Sequence, residues 1–110
     1  MTYEEPPLSA DPLSQQSLTF EEALTALKNR SRVARKSWTL YDPGSYICCQ
    51  EGYPTGIEIN ANTARATGMN EGTVVRFRPY LMVRLTDGTM MPWLPSTLDL
   101  FAADWYVLES

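Results

Sequence analysis

The sequence predicts an α+β fold: a small antiparallel sheet with one principal N-terminal helix and short helical turns. Three observations carry this. Thr19 and Glu22 have the spacing of a capping box, and Phe20, Ala23, Leu24 and Leu27 follow at helical intervals. Short β-rich runs recur after that helix, separated by Gly, Pro and Asp turns. Asp87-Gly88, between Tyr80–Leu85 and Met90-Met91, has the chemistry of a hairpin turn.

Each element can be justified in order. Residues 1–18 read as an extended or disordered tail. Pro6, Pro7 and Pro12 sit there among Ser, Gln and Glu, with too few apolar groups to repay ordering. Residues 19–110 read as a single α+β ligand-binding domain. The helix is placed at 20–28, with Lys28 and Arg30 near its negative end and Asn29 as a C-terminal cap. Arg32 to Trp38 reads as a strand, Asp42-Pro43-Gly44 as a turn and Tyr46 to Cys49 as a second strand. Gly52 to Gly56, with Pro54, reads as a loop. Ala61 to Thr67 reads as helical turns begun at Asn60 and ended by Gly68. Thr73 to Phe77 is β-rich and Tyr80 to Leu85 is a strand. Leu98 to Ala102 is a helical turn capped by Ser96 or Thr97, and Trp105 to Leu108 closes the domain as a strand.

Composition excludes several functions. A net charge of −4 with nine basic residues disfavours duplex nucleic acid, whose binding draws on many phosphate contacts. The absence of His removes the commonest general base and metal ligand, and no catalytic triad or metal set replaces it. No enzyme and no cofactor is therefore expected. Cys48 and Cys49 are adjacent, so on a strand they point to opposite faces and do not share a metal. No stretch approaches the roughly 20 apolar residues that span a bilayer, and the N-terminus lacks the pattern of a signal peptide. No membrane association is expected.

Candidate binding residues cluster around two tryptophans. Trp38 follows Arg35 and Lys36: a flat ring for a base beside cations for a phosphate, or a core ring beside solvated charges. Trp93 is held between Pro92 and Pro95, ready to stack on a ligand or packed at a strand end. Ser96, Thr97 and Asp99 offer hydroxyls, amides and a carboxylate to phosphate, ribose or base. The same residues are also the composition of a helix cap. Asp104-Trp105 reads as structural, with Trp105 opening an apolar strand.

Three blocks, taken together, resemble a phage family. They are Phe20-Glu21-Glu22-Ala23-Leu24 with Ala26-Leu27-Lys28, then Val33 to Trp38, then Pro92 to Ser96 with Asp99-Leu100 and Ala103-Asp104-Trp105. Their order and spacing are similar to those of Thoeris anti-defence proteins of the second type, over about residues 19–109. This sequence has Ser37 before Trp38 where the family usually has Gly, and Leu98 where it usually has Thr. The resemblance implies a sponge in the cytoplasm of an infected bacterial host. Such a protein sequesters a cyclic ADP-ribose isomer without cleaving it, and some members also take cyclic oligonucleotides. The resemblance further implies a homo-oligomer, dimer or tetramer, with ligand sites at subunit contacts. A small protein-interaction module with exposed Trp hot spots is the rival reading.

Overall fold

The computed structural model describes residues 16–108. Its elements are α1 (Phe20–Lys28), β1 (Val33–Arg35), α2 (Trp38–Tyr41), β2 (Tyr46–Gln50), β3 (Tyr53–Glu58), α3 (Ala61–Thr67), β4 (Val74–Phe77), β5 (Tyr80–Arg84), β6 (Met90–Pro92), α4 (Thr97–Phe101) and β7 (Trp105–Val107). The α+β prediction holds: a five-stranded sheet in the order β6-β5-β2-β1-β7 and a two-stranded sheet of β3 and β4. The strand pairs with a defined register are antiparallel. The chain groups into two compact units, residues 16–49 with 81–108 and residues 50–80.

The first unit is organised by α1. Thr19 caps it with the complete reciprocal box: its hydroxyl accepts from the Glu22 amide, and the Glu22 carboxylate accepts from the Thr19 amide. The helix buries Phe20, Ala23 and Leu27, the stripe that helical spacing places on one face. Its end is a Schellman motif. The Ser31 amide donates to the Ala26 carbonyl and the Arg30 amide to the Leu27 carbonyl. Arg30 takes the left-handed conformation, φ 70°, that such a motif requires and that glycine usually supplies.

Against that face lie Val33, Ile47, Val83 and Trp105, and together these residues form the core. Trp105 is fully buried at its centre. Phe20 and Trp38 lie 5.5 Å from its ring and Trp93 lies 6.1 Å away. β7 is a sheet edge, yet it is partly covered. Leu18 pairs with Trp105 through two backbone bonds, and the Gln16 side chain accepts from the Val107 amide. Gln16 to Leu18, which the sequence assigns to the tail, are thus attached to the domain, while the rest of the tail lies outside the described residues.

Two elements depart from the sequence reading. The strand expected over Arg32 to Trp38 ends at Arg35, and Trp38 opens the single turn α2. The Lys36 amide donates to the Asp104 carbonyl, and the Ser37 amide donates to the Asp104 carboxylate. Asp104 therefore takes the last two pairings of this edge, and the chain turns off the sheet. Of the segment expected as a loop at 52–56, all but Gly52 belongs to β3. Pro54 and Gly56 are tolerated there because the ribbon has only two strands and its register shifts between Tyr53 and Ile57.

The second unit is that ribbon with α3 between its strands. Asn60 caps α3 by accepting from the Thr63 amide, and Gly68, at φ 78°, ends it. Ile59 is its buried apolar residue among those described.

Candidate functional site

A groove of about 640 Å³ opens on the first unit. Two turns and two rings shape it. Trp38 and Asp42 come from α2 and its end, Thr86 and Asp87 from the β5–β6 hairpin, and Trp93 and Leu94 from the chain leaving β6. Ser45, only 8% exposed, lies at the groove with its hydroxyl 3.4 Å from that of Thr86. The Asp42–Ser45 turn is fixed in place by Arg84, whose guanidinium donates to the Gly44 carbonyl at 3.0 Å. Gly44 has φ 83°, and a Cβ there would come within 2.7 Å of that guanidinium, so only glycine fits without a shift.

Both tryptophans are half-buried, each with its ring packed near Trp105 and part of its surface left to the groove. Of the two readings left open by sequence, packing on the core is realised for both rings. Each ring rests on the core and also lines the cleft. A ring held this way loses little entropy when a flat ligand stacks on it.

The other five candidates do not line the groove. Arg35 is tied to two carboxylates, with Nε 2.8 Å from Asp104 and an Nη nitrogen 3.1 Å from Asp99. Burial disfavours its charge, but these bonds outweigh it and hold the guanidinium more firmly protonated than usual. Burial likewise pushes the Asp104 carboxyl up, and the bonds from Arg35 and the Ser37 amide override that and hold it below its ordinary value. Arg35 therefore joins β1 to α4 and the turn before β7, instead of standing ready for a phosphate. Lys36 donates to the Ser17 hydroxyl at 3.1 Å.

Ser96 is the N-cap of α4. Its hydroxyl accepts from the Asp99 amide, and the Asp99 carboxylate accepts from the Ser96 amide and hydroxyl, each at 2.9 Å. The other Asp99 oxygen accepts from Arg35. Capping and ion pairing thus occupy both Asp99 oxygens, leaving no oxygen of that carboxylate without a partner. Thr97 is the exposed first residue of α4.

Sequence reasoning missed the polar half of the groove. Asp42 and Asp87 read only as turn residues, and Ser45 and Thr86 beside them carry no local signal. It also missed a second hollow, of about 410 Å³, on the 50–80 unit. Pro54, Arg76, Phe77, Arg78 and Pro79 line it, and among the described residues neither arginine is hydrogen-bonded or ion-paired. The alternation of cation, aromatic and cation at 76–78 is a sequence signal that could have marked it.

The chain contains no helix, among the described residues, long and apolar enough to cross a membrane. No curated protein matches the chain. The family model for the Thoeris anti-defense 2-like domain matches residues 18–108, a span that takes in α1, the Arg35 cluster and both groove tryptophans. This chain therefore belongs to the Thoeris anti-defense 2-like family, and its role is anti-defence against Thoeris immunity.

Proposed function

We propose that this protein is a non-catalytic sponge that captures a cyclic ADP-ribose-type signal in the groove between Trp38 and Trp93. The observation that carries the reading is the pair of half-buried indoles seated on Trp105 at the edge of an open cleft. Adenine stacks on such a ring, and Ser45, Thr86 and the turn carboxylates suit ribose hydroxyls and the adenine amine. Capture without cleavage fits the polar lining, in which no His, Lys or Cys nucleophile or base stands. The site of action is the cytoplasm of the infected bacterial host.

The assembly is a homo-oligomer, dimer or tetramer. Leu94, Leu98 and Phe101 are 88%, 77% and 83% exposed, and apolar side chains left this bare suit a contact between subunits. Leu94 also lines the groove, which supports a ligand site close to such a contact. Cyclic oligonucleotides, the other ligand class implied by the family, have a separate candidate in the hollow between Arg76 and Arg78.

Calorimetric titration of a cyclic ADP-ribose isomer into wild type and Trp93→Ala tests the proposal. Loss of one stacking face costs about 1–3 kcal/mol, or roughly ten- to a hundredfold in affinity. Heat denaturation of the wild-type complex should return the ligand at unchanged mass. Equal affinity in the folded variant, or recovery of a hydrolysed product, would overturn it.

A further inference from the structure

The groove pairs its aromatic faces with two carboxylates, Asp42 and Asp87, and among the described residues no Lys or Arg lines it. Arg35 is paired with Asp99 and Asp104, and Arg84, which donates to the Gly44 carbonyl and attracts Asp87, does not line the groove. A cleft meant to hold phosphate would present the opposite sign. We propose that Asp42 and Asp87 are a charge filter: the groove holds the base and ribose of a cyclic nucleotide and rejects nucleotides that carry a terminal phosphate on that end. This inference rests on the nucleotide reading of the groove given above.

The chemistry separates the two ligand types. In a cyclic ADP-ribose the two phosphates form an internal pyrophosphate bridge with one charge each, and the ring can turn it outward while the nucleoside face enters. A terminal phosphomonoester carries about −1.5 to −2 at pH 7. Placed on the sugar inside the groove, it meets two carboxylates against the single nearby cation of Arg84, and such an excess of like charge is disfavoured. Geometry keeps the filter charged and in place. The Asp87 carboxylate accepts from the Thr89 amide at 2.9 Å and from the Thr89 hydroxyl at 2.6 Å, which fixes it on the hairpin and holds its pKa below the ordinary value. Asp42 sits at the end of α2, directly before the turn that Arg84 pins. Such a filter has a clear use. A sponge for a scarce cyclic signal works among abundant mononucleotides and dinucleotides with terminal phosphates, and it fails if they fill its site.

The test compares cyclic ADP-ribose with cyclic ADP-ribose 2′-phosphate, the same ring bearing one terminal phosphate on the adenosine ribose. Wild type should bind the phosphorylated ring at least tenfold more weakly, and the gap should narrow as salt is raised. In the Asp42→Asn/Asp87→Asn variant, which keeps an oxygen acceptor for Thr89 on the hairpin, the gap should close. An unchanged gap in a variant that melts like wild type would overturn the filter. So would equal wild-type affinity for the two rings, a result that needs no variant. Failure of wild type to bind cyclic ADP-ribose at all would instead overturn the nucleotide reading on which the filter stands.

Discussion

The Arg35 cluster and the tryptophan groove lie in the same unit and are built from similar residue types, yet their polar groups are spent differently. Around Arg35 the guanidinium is bound by two carboxylates, Asp99 also completes the α4 cap, and Asp104 also takes the Ser37 amide. In the groove, Asp42 has no side-chain hydrogen bond or ion pair among the described residues, and Ser45 and Thr86 share one long contact. Polar groups satisfied from within hold a fold together, while polar groups left open at a concave aromatic surface are available to a ligand. The comparison moves the functional reading away from the charges nearest Trp38 in sequence and toward those that line the groove with it.

The comparison breaks most severely at Trp105. Trp105→Ala removes a fully buried ring that also donates its indole N–H to the Asp99 carbonyl at 3.0 Å. A loss of about 3–5 kcal/mol is expected, read as a shift in the urea midpoint. A small change would mean that the core does not centre on this residue.

Arg35→Met comes next. It strands two partly buried carboxylates, and a loss of about 2 kcal/mol is expected at neutral pH. The sign with pH follows from Asp104. Its folded-state pKa is depressed, so its stabilisation is complete above the unfolded carboxylate value of about 3.9. That stabilisation is lost as pH falls through the lower folded value. The gap between wild type and Arg35→Met should therefore be widest above about pH 3.9 and shrink in acid. Urea melts at pH 7 and at about pH 3 check it; a gap that stays constant would mean the pair is not formed.

Asp42→Asn should change almost nothing in the absence of ligand, within about 0.5 kcal/mol. The side chain has no ion pair to lose, and its charge lies at the negative end of α2. A larger loss in thermal melts would show that the groove carboxylate serves the fold after all.

How much of this could be read in the sequence depends on the separation of the partners. The Thr19–Glu22 capping box was legible because its partners are neighbours along the chain, and the cap of α4 was legible to within one residue, Ser96 or Thr97. Helix α1 and the β5–β6 hairpin were legible for the same local reasons. The Arg35 cluster was not, since its acids lie 64 and 69 positions away and either could equally have been solvated. Helix α2 was hidden because Trp38 continues a β-rich run and Ser37 makes no side-chain cap, so only the pairings of Asp104 turn the chain there. β3 was hidden by Pro54 and Gly56, which mark a loop unless the strand belongs to a ribbon with free edges.

The closeness of the three indoles has an optical consequence. With Trp38 and Trp93 at 5.5 and 6.1 Å from Trp105, excitation absorbed by one ring passes readily among all three. The protein's emission therefore behaves as the output of a single coupled chromophore with two arms at the groove and its centre in the core. A base stacked on either arm would dim the whole signal, so the molecule carries its own label for occupancy.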